Sequence, residues 1–326
     1  MPYVRPDVAS LLAMINSQPG PKLHEGEPAA GRDMMRTMAS FADLPRGDIA
    51  RVADIVIPGP DGQQIPARLY SDAAVSSAGP VLLFFHGGGW VIGDLDTYDS
   101  LCAEIARGTG LTLVSVGYRL APEHPFPAGV DDCLAAARWA ATSPAAIGHA
   151  VTGLVVAGDS AGGNLAALCA QTPTDLPILV QWLIYPAVDM TAKGGSMVEF
   201  AENYLLSAND MAWFSGHYFG DLTDRADLTR ASPLLADTLA GLPAALVFTC
   251  GLDPLRDQGR AYAARLVENG VPTRFREAAG QVHGCFNLRQ IVPSAQNDLA
   301  ACLADLKAMV AEAVSALPAT RAEAAE

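Results

Sequence analysis

The sequence predicts the α/β class, with a mostly parallel, doubly wound sheet flanked by helices. Residues 81–85, 111–116, 154–157, 178–184 and 244–249 are continuous apolar runs. Strands buried on both faces read this way, because neither face alternates with solvent. Helical stretches at 100–107, 129–141, 161–170 and 256–268 are interspersed with them, as crossovers between parallel strands require. With 326 residues, half of them hydrophobic, the chain can bury a large core.

Residues 1–46 carry amphipathic patterns at 8–15 and 32–41, broken by Pro19-Gly20-Pro21 and Pro28. No strand pattern occurs there, so this segment is expected to cover the main domain. Residues 53–58 and 65–70 flank Gly59-Pro60-Asp61-Gly62 and read as a hairpin, an antiparallel start to the sheet. Residues 273–277 supply the last of eight strands. Between 189 and 232 the alternation stops. Residues 196–206 and 210–219 are helix-like and rich in aromatics, which predicts a helical insertion. The expected division is therefore core at 47–189 and 233–326, with helical cover from 1–46 and 190–232. The Ala/Glu-rich stretch 317–326 reads as a frayed end.

A net charge of −14 with dispersed acidic residues argues against nucleic acid or an anionic membrane as partner, since both require clustered Lys and Arg. No apolar run approaches the roughly 20 residues that span a bilayer. The first residues lack a charged segment followed by an apolar core, so no signal peptide is expected and the cytoplasm is the simplest compartment. The six cysteines are scattered without C-x-x-C spacing, which predicts free thiols and no metal site.

The chemistry concentrates at strand ends. Gly158-Asp159-Ser160-Ala161-Gly162 follows an apolar run and opens a helix. Its glycines permit a tight turn that exposes the serine hydroxyl, and the helix aims unpaired N–H groups at it. Phe85-His86-Gly87-Gly88-Gly89-Trp90 ends another strand. Three glycines let backbone N–H groups approach a ligand. Phosphate is the rival occupant, but no Gly-Lys-Ser/Thr follows and Asp94 and Asp96 would repel it, so an oxyanion is favoured. A serine needs a base and a group to orient that base. His283 follows the last strand and Asp253 follows the strand before it, which puts both at the edge that holds Ser160. Asp257 lies a helical turn further on and reads as a cap or surface partner. The order Ser160, Asp253, His283 is that of α/β-hydrolases.

His86-Gly87-Gly88-Gly89-Trp90, Tyr118-Arg119-Leu120-Ala121-Pro122-Glu123, Gly158-Asp159-Ser160-Ala161-Gly162-Gly163 and Asp253-Pro254-Leu255-Arg256-Asp257 together resemble the bacterial hormone-sensitive-lipase-like carboxylesterases (family IV). The resemblance implies an α/β-hydrolase fold beneath a two-part helical cap, with oxyanion donors from the N–H groups of Gly88, Gly89 and Ala161. It implies short- to medium-chain acyl esters as substrates, no cofactor, and a homodimer through the edge of the last strand. Trp90, Tyr204, Leu205, Phe214 and Phe286 are the candidates for the pocket wall. Two positions depart from the family pattern: Cys285 stands where an aromatic residue is usual after the His-Gly pair, and Gln281 replaces a more apolar residue. A ligand receptor lacking catalysis, and an amidase or peptidase, are the competing readings on the same fold.

Overall fold

The computed structural model describes residues 2–17, 20–72, 77–172, 176–220 and 225–317. Helices α1 (Pro6–Ser17) and α2 (Pro28–Ala42) precede the hairpin of β1 (Arg51–Pro58) and β2 (Gln64–Ser71). The central alternation is β3 (Ala78–Phe85), α3 (Asp99–Thr109), β4 (Thr112–Val116), α4 (Ala128–Ala141), β5 (Ala150–Asp159), α5 (Ala161–Gln171) and β6 (Ile178–Ile184). Helices α6 (Ser196–Glu199), α7 (Ala208–Phe219) and α8 (Arg225–Arg230) interrupt it. The chain then completes the sheet with β7 (Ala244–Leu252), α9 (Arg256–Glu268), β8 (Thr273–Val282) and α10 (Ser294–Ser315).

The eight strands form one sheet in the order β1-β2-β4-β3-β5-β6-β7-β8. The β1–β2 and β2–β4 pairs are antiparallel and the rest are parallel. This is the expected fold class. Successive side chains of a strand point to opposite faces, so an apolar run serves two cores at once. Val81, Leu83 and Phe85 pack into the core beneath α4, α5 and α9. Leu82 and Phe84 pack into the core with α1, α3 and α10.

Two of the differences from the sequence pattern bear on the site. Residues 196–206 do not form one helix: α6 ends at Glu199, and Asn203 and Leu205 take positive φ of 70° and 74°. The Phe200 ring is fully buried beneath the Arg256 guanidinium, while Ser196 Oγ donates to Pro254 O at 2.7 Å. These anchors hold the segment to the core and stop the helix. Strand β8 continues five residues past the expected end, to Val282, because Leu252 and Val282 pair beyond a register shift. One residue past that pair stand Asp253 and His283, so sheet register alone makes them neighbours. The stretch 318–326 lies outside the described residues.

Candidate active site

Ser160 sits between β5 and α5 with φ 54° and ψ −115°, a conformation that costs an L-residue on the order of 1–3 kcal/mol. Its surroundings leave no alternative path. A Cβ on Gly162 would overlap the Phe85 carbonyl, and one on Gly163 would come within 2.9 Å of Pro186 Cβ. Ser160 N–H donates to Ile184 O at 2.8 Å, and Ser160 O accepts from Asn164 N (3.1 Å) and Ala187 N (3.2 Å). Asn164 Nδ2 in turn donates to Ala187 O and Ala231 O, each at 2.8 Å. The turn is thus fixed from both flanks.

Ser160 Oγ lies 2.8 Å from His283 Nε2, and His283 Nδ1 lies 2.7 Å from Asp253 Oδ2. With the proton on Nδ1, the imidazole donates to Asp253 and accepts from the serine hydroxyl. Asp253 is fully buried, and its Oδ1 accepts from Leu255 N–H at 2.8 Å. The Tyr185 ring packs 4.8 Å from the His283 ring and fixes its plane. Tyr185 itself has φ 35° and donates its N–H to Phe248 O at 2.6 Å. Nothing in the sequence singled out this tyrosine; its position directly after an apolar strand was the available signal.

The glycine loop leaves β3 with positive φ at Gly88 (108°), Gly89 (58°) and Trp90 (63°). Gly88 O accepts from Val91 N and Ile92 N, which turns the loop back on itself. A Cβ on Gly88 would overlap the Ile92 carbonyl, and one on Gly89 would overlap the Phe214 ring of α7. His86 is fully buried and stacked on Tyr118 at 4.4 Å. Burial pushes its pKa down to about 4, so the ring is neutral and shapes the loop through Nδ1 and Gly87 O at 2.8 Å.

The five pocket-wall candidates divide between the two cores. Trp90, at the end of the loop, stacks on Tyr218 at 4.3 Å, and Phe214 of α7 covers Gly89. Tyr204 and Leu205 pack against the opposite core, Tyr204 edge-on to Phe200. Phe286 is fully buried, stacked on Phe248 at 4.8 Å and 5.9 Å from Tyr185. Cys285 is also fully buried, its Sγ 3.7 Å from Cys250 Sγ, and burial raises its pKa. Gln281 is buried too, and its Oε1 accepts from Val282 N at 3.2 Å. Among the described residues, no group of three or more His, Cys, Asp or Glu could hold a metal ion, and no helix is long and apolar enough to cross a membrane.

A serine on a strained strand-to-helix turn, facing a histidine from the last strand of this sheet, defines an α/β-hydrolase. Residues 82–287 match the family described as having the alpha/beta hydrolase fold, and the chain belongs to that family, in its hormone-sensitive-lipase-like branch. It is 43% identical over 272 residues to a carboxylic ester hydrolase of Mycobacterium tuberculosis (LipN), an alignment covering 80% of this chain and 71% of that one. It is 38% identical to an ethyl acetate hydrolase of Pseudomonas putida, over 76% of this chain and 80% of that one. Among solved structures, an ester hydrolase from the metagenome of Lake Arreo, bound to a derivative of bipyridine phosphonate, superposes with a TM-score of 0.88 at 38% identity. That match covers 94% of this chain and 99% of the other. A hyperthermophilic esterase from Pyrobaculum calidifontis gives 0.86 at 37% identity, over 95% and 99%.

Proposed function

We propose that this chain is a serine carboxylesterase acting on short- to medium-chain acyl esters, with Ser160 as nucleophile, His283 as base and Asp253 as the group that orients it. Carboxylic ester hydrolysis is the activity that several relatives carry in their names. The hydrogen-bonded run from Ser160 Oγ through His283 to Asp253, at 2.8 and 2.7 Å, carries the finer reading. Ser160 Oγ attacks the ester carbonyl carbon as its proton passes to His283 Nε2. Asp253 holds the tautomer and stabilises the imidazolium. The N–H groups of Gly88, Gly89 and Ala161 bind the developing oxyanion, each contributing on the order of 3 kcal/mol. His283 then protonates the departing alkoxide oxygen, and the C–O bond breaks to leave an acyl-serine. Water, deprotonated by His283, attacks the acyl carbon; the bond to Ser160 Oγ then breaks as His283 returns its proton to that oxygen, releasing the carboxylic acid.

The aromatic surfaces of Trp90 and Phe214 beside the glycine loop support an apolar acyl site. In this reading residues 1–46 and 190–232 form a cap over a core of 47–189 and 233–326. The protein works in the cytoplasm on small esters, and a homodimer forms through the open edge of β8, where Phe275 is exposed. Light scattering that shows only monomer removes the dimer. The main test is hydrolysis of p-nitrophenyl acetate through hexanoate by wild type and Ser160→Ala. Activity should fall by roughly 10³-fold or more with the fold intact. Activity surviving that change overturns the assignment. An organophosphate should label Ser160 in the wild type; absence of label favours a receptor. Matched amides should turn over far more slowly than esters; the reverse order favours an amidase.

A further inference from the structure

The fully buried Asp159 carboxylate is not part of the Ser160–His283–Asp253 run, yet it ties two parts of the site together. Gly87 N–H donates to Asp159 Oδ1 at 2.7 Å and also approaches Tyr98 OH at 3.0 Å. Tyr98 O–H, just before α3, donates to Asp159 Oδ2 at 3.0 Å. The fit is close: a Cβ on Gly87 would stand 2.7 Å from Asp159 Oδ2 and 2.8 Å from Tyr98 OH. One carboxylate therefore joins the glycine loop after β3, the start of α3 and the residue covalently preceding Ser160.

We propose that Asp159 is a positioning residue that clamps the glycine loop to the nucleophile turn and so sets the distance between the two sources of oxyanion donors. Gly88 and Gly89 come from the loop and Ala161 from α5, with no covalent link shorter than the stretch between residues 89 and 161. Three successive glycines hold no conformation of their own, and donors stabilise a developing charge only when already in place. A bond from an N–H to a carboxylate is stronger than one to a neutral acceptor. Burial raises the Asp159 pKa to about 6, against the pull of Tyr98, Gly87, His283 and Tyr185, so the acceptor is ionised at neutral pH. The inference rests on the serine-esterase reading.

Steady-state hydrolysis of p-nitrophenyl butyrate and inhibition by an alkyl trifluoromethyl ketone, which forms an oxyanion on the serine, test it in Asp159→Ala, Asp159→Asn and Tyr98→Phe. Asp159→Ala should lower kcat roughly 10- to 100-fold while KM stays within about 3-fold, and ketone affinity should fall in parallel with kcat/KM. Asp159→Asn keeps an oxygen for Gly87 N–H and should recover part of that loss. Tyr98→Phe should cost only a few-fold, because Oδ1 still holds Gly87. If Asp159→Ala does not fold, the other two variants decide. Unchanged kcat and ketone affinity in folded Asp159→Asn and Tyr98→Phe, or a loss borne by KM alone, overturns the clamp. Organophosphate labelling of wild-type Ser160 is scored separately: without label the esterase reading fails, whereas label with indifferent variants sinks the clamp alone.

Discussion

The floor and the roof of the candidate site are built from different materials. The floor consists of the turn at 158–163, the loop at 86–90 and the strand exits at Asp253 and His283. There backbone touches backbone: Gly162 lies against the Phe85 carbonyl, Gly88 against the Ile92 carbonyl, and Gly158 against Gly162. The roof, in the proposed cap arrangement, is α1, α2 and the segment 196–219, and these are joined by side chains that reach across the sequence. Asn16 Nδ2 donates to Asn203 O at 3.2 Å, His24 Nδ1 meets Asp210 Oδ1 at 2.8 Å, and Trp213 Nε1 donates to Gly26 O at 3.2 Å. Steric exclusion between backbones cannot be relieved by a rotamer change, whereas side-chain bonds near solvent are worth about 0.5–1.5 kcal/mol each and are replaceable. Substitution should therefore abolish function through the floor and tune it through the roof.

The largest break is expected from Gly162→Ala. The methyl has no space beside the Phe85 carbonyl, so the strand-to-helix turn must shift, with a loss of roughly 3 kcal/mol or more of stability and of all esterase activity. A well-folded, active alanine variant, by thermal unfolding and p-nitrophenyl butyrate assay, would show that the floor yields after all. Asp253→Asn comes next. The amide holds the wrong imidazole tautomer, so kcat should drop roughly 10³- to 10⁴-fold with little change in Tm. Full activity in that variant moves the acid elsewhere. Gly89→Ala tests where floor meets roof, since its methyl would overlap the Phe214 ring at a φ of 58°. A loss of roughly 10²-fold in kcat/KM is expected. Adding Phe214→Ala should return part of it; no recovery would leave the backbone strain alone responsible.

Asp159→Asn separates stability from catalysis. The carboxyl's folded pKa of about 6 lies above the ordinary 3.8, so burial favours its protonated form. Its contribution is fully present below pH 4 and is lost as pH rises through about 6. The amide removes that loss and should raise stability at pH 7–8 by about 2 kcal/mol, with the gain vanishing below pH 4. Tm measured from pH 4 to 8 checks this; a uniform destabilisation contradicts it.

The same contrast explains what the sequence reveals. Glycines forced by close backbone approach are written locally, so the serine turn and the glycine loop are readable without a structure. The exits of β7 and β8 are equally local, and their register carries Asp253 and His283 to one place. The Tyr98–Asp159 contact spans 61 residues, and the Tyr185–His283 packing depends on a backbone twist at φ 35°. Neither has a motif. The helix expected over 196–206 fails for a related reason: the burial of Phe200 and the anchoring of Ser196 by Pro254 and Asp257 outweigh local helical preference. Phe286, a pocket-wall candidate, is fully buried and stacked on Phe248, a contact that aromatic composition alone does not reveal.

The smallest effect should come from the roof, at His24. Its Nδ1 meets the carboxylate of Asp210, which also accepts from Ser207 N–H (3.2 Å) and Ser207 Oγ (2.6 Å) at the start of α7. The Asp210–Ser207 capping box persists without the histidine, so His24→Ala leaves α7 intact and removes a single tie between the N-terminal segment and the insertion. A destabilisation of about 1 kcal/mol is expected. Because α7 carries Phe214 over Gly89, the loosened tie should appear as a KM change of a few-fold for hexanoate, with kcat for acetate nearly untouched. A kcat loss for acetate comparable to that of Gly89→Ala would mean that the roof, like the floor, holds the reacting groups themselves.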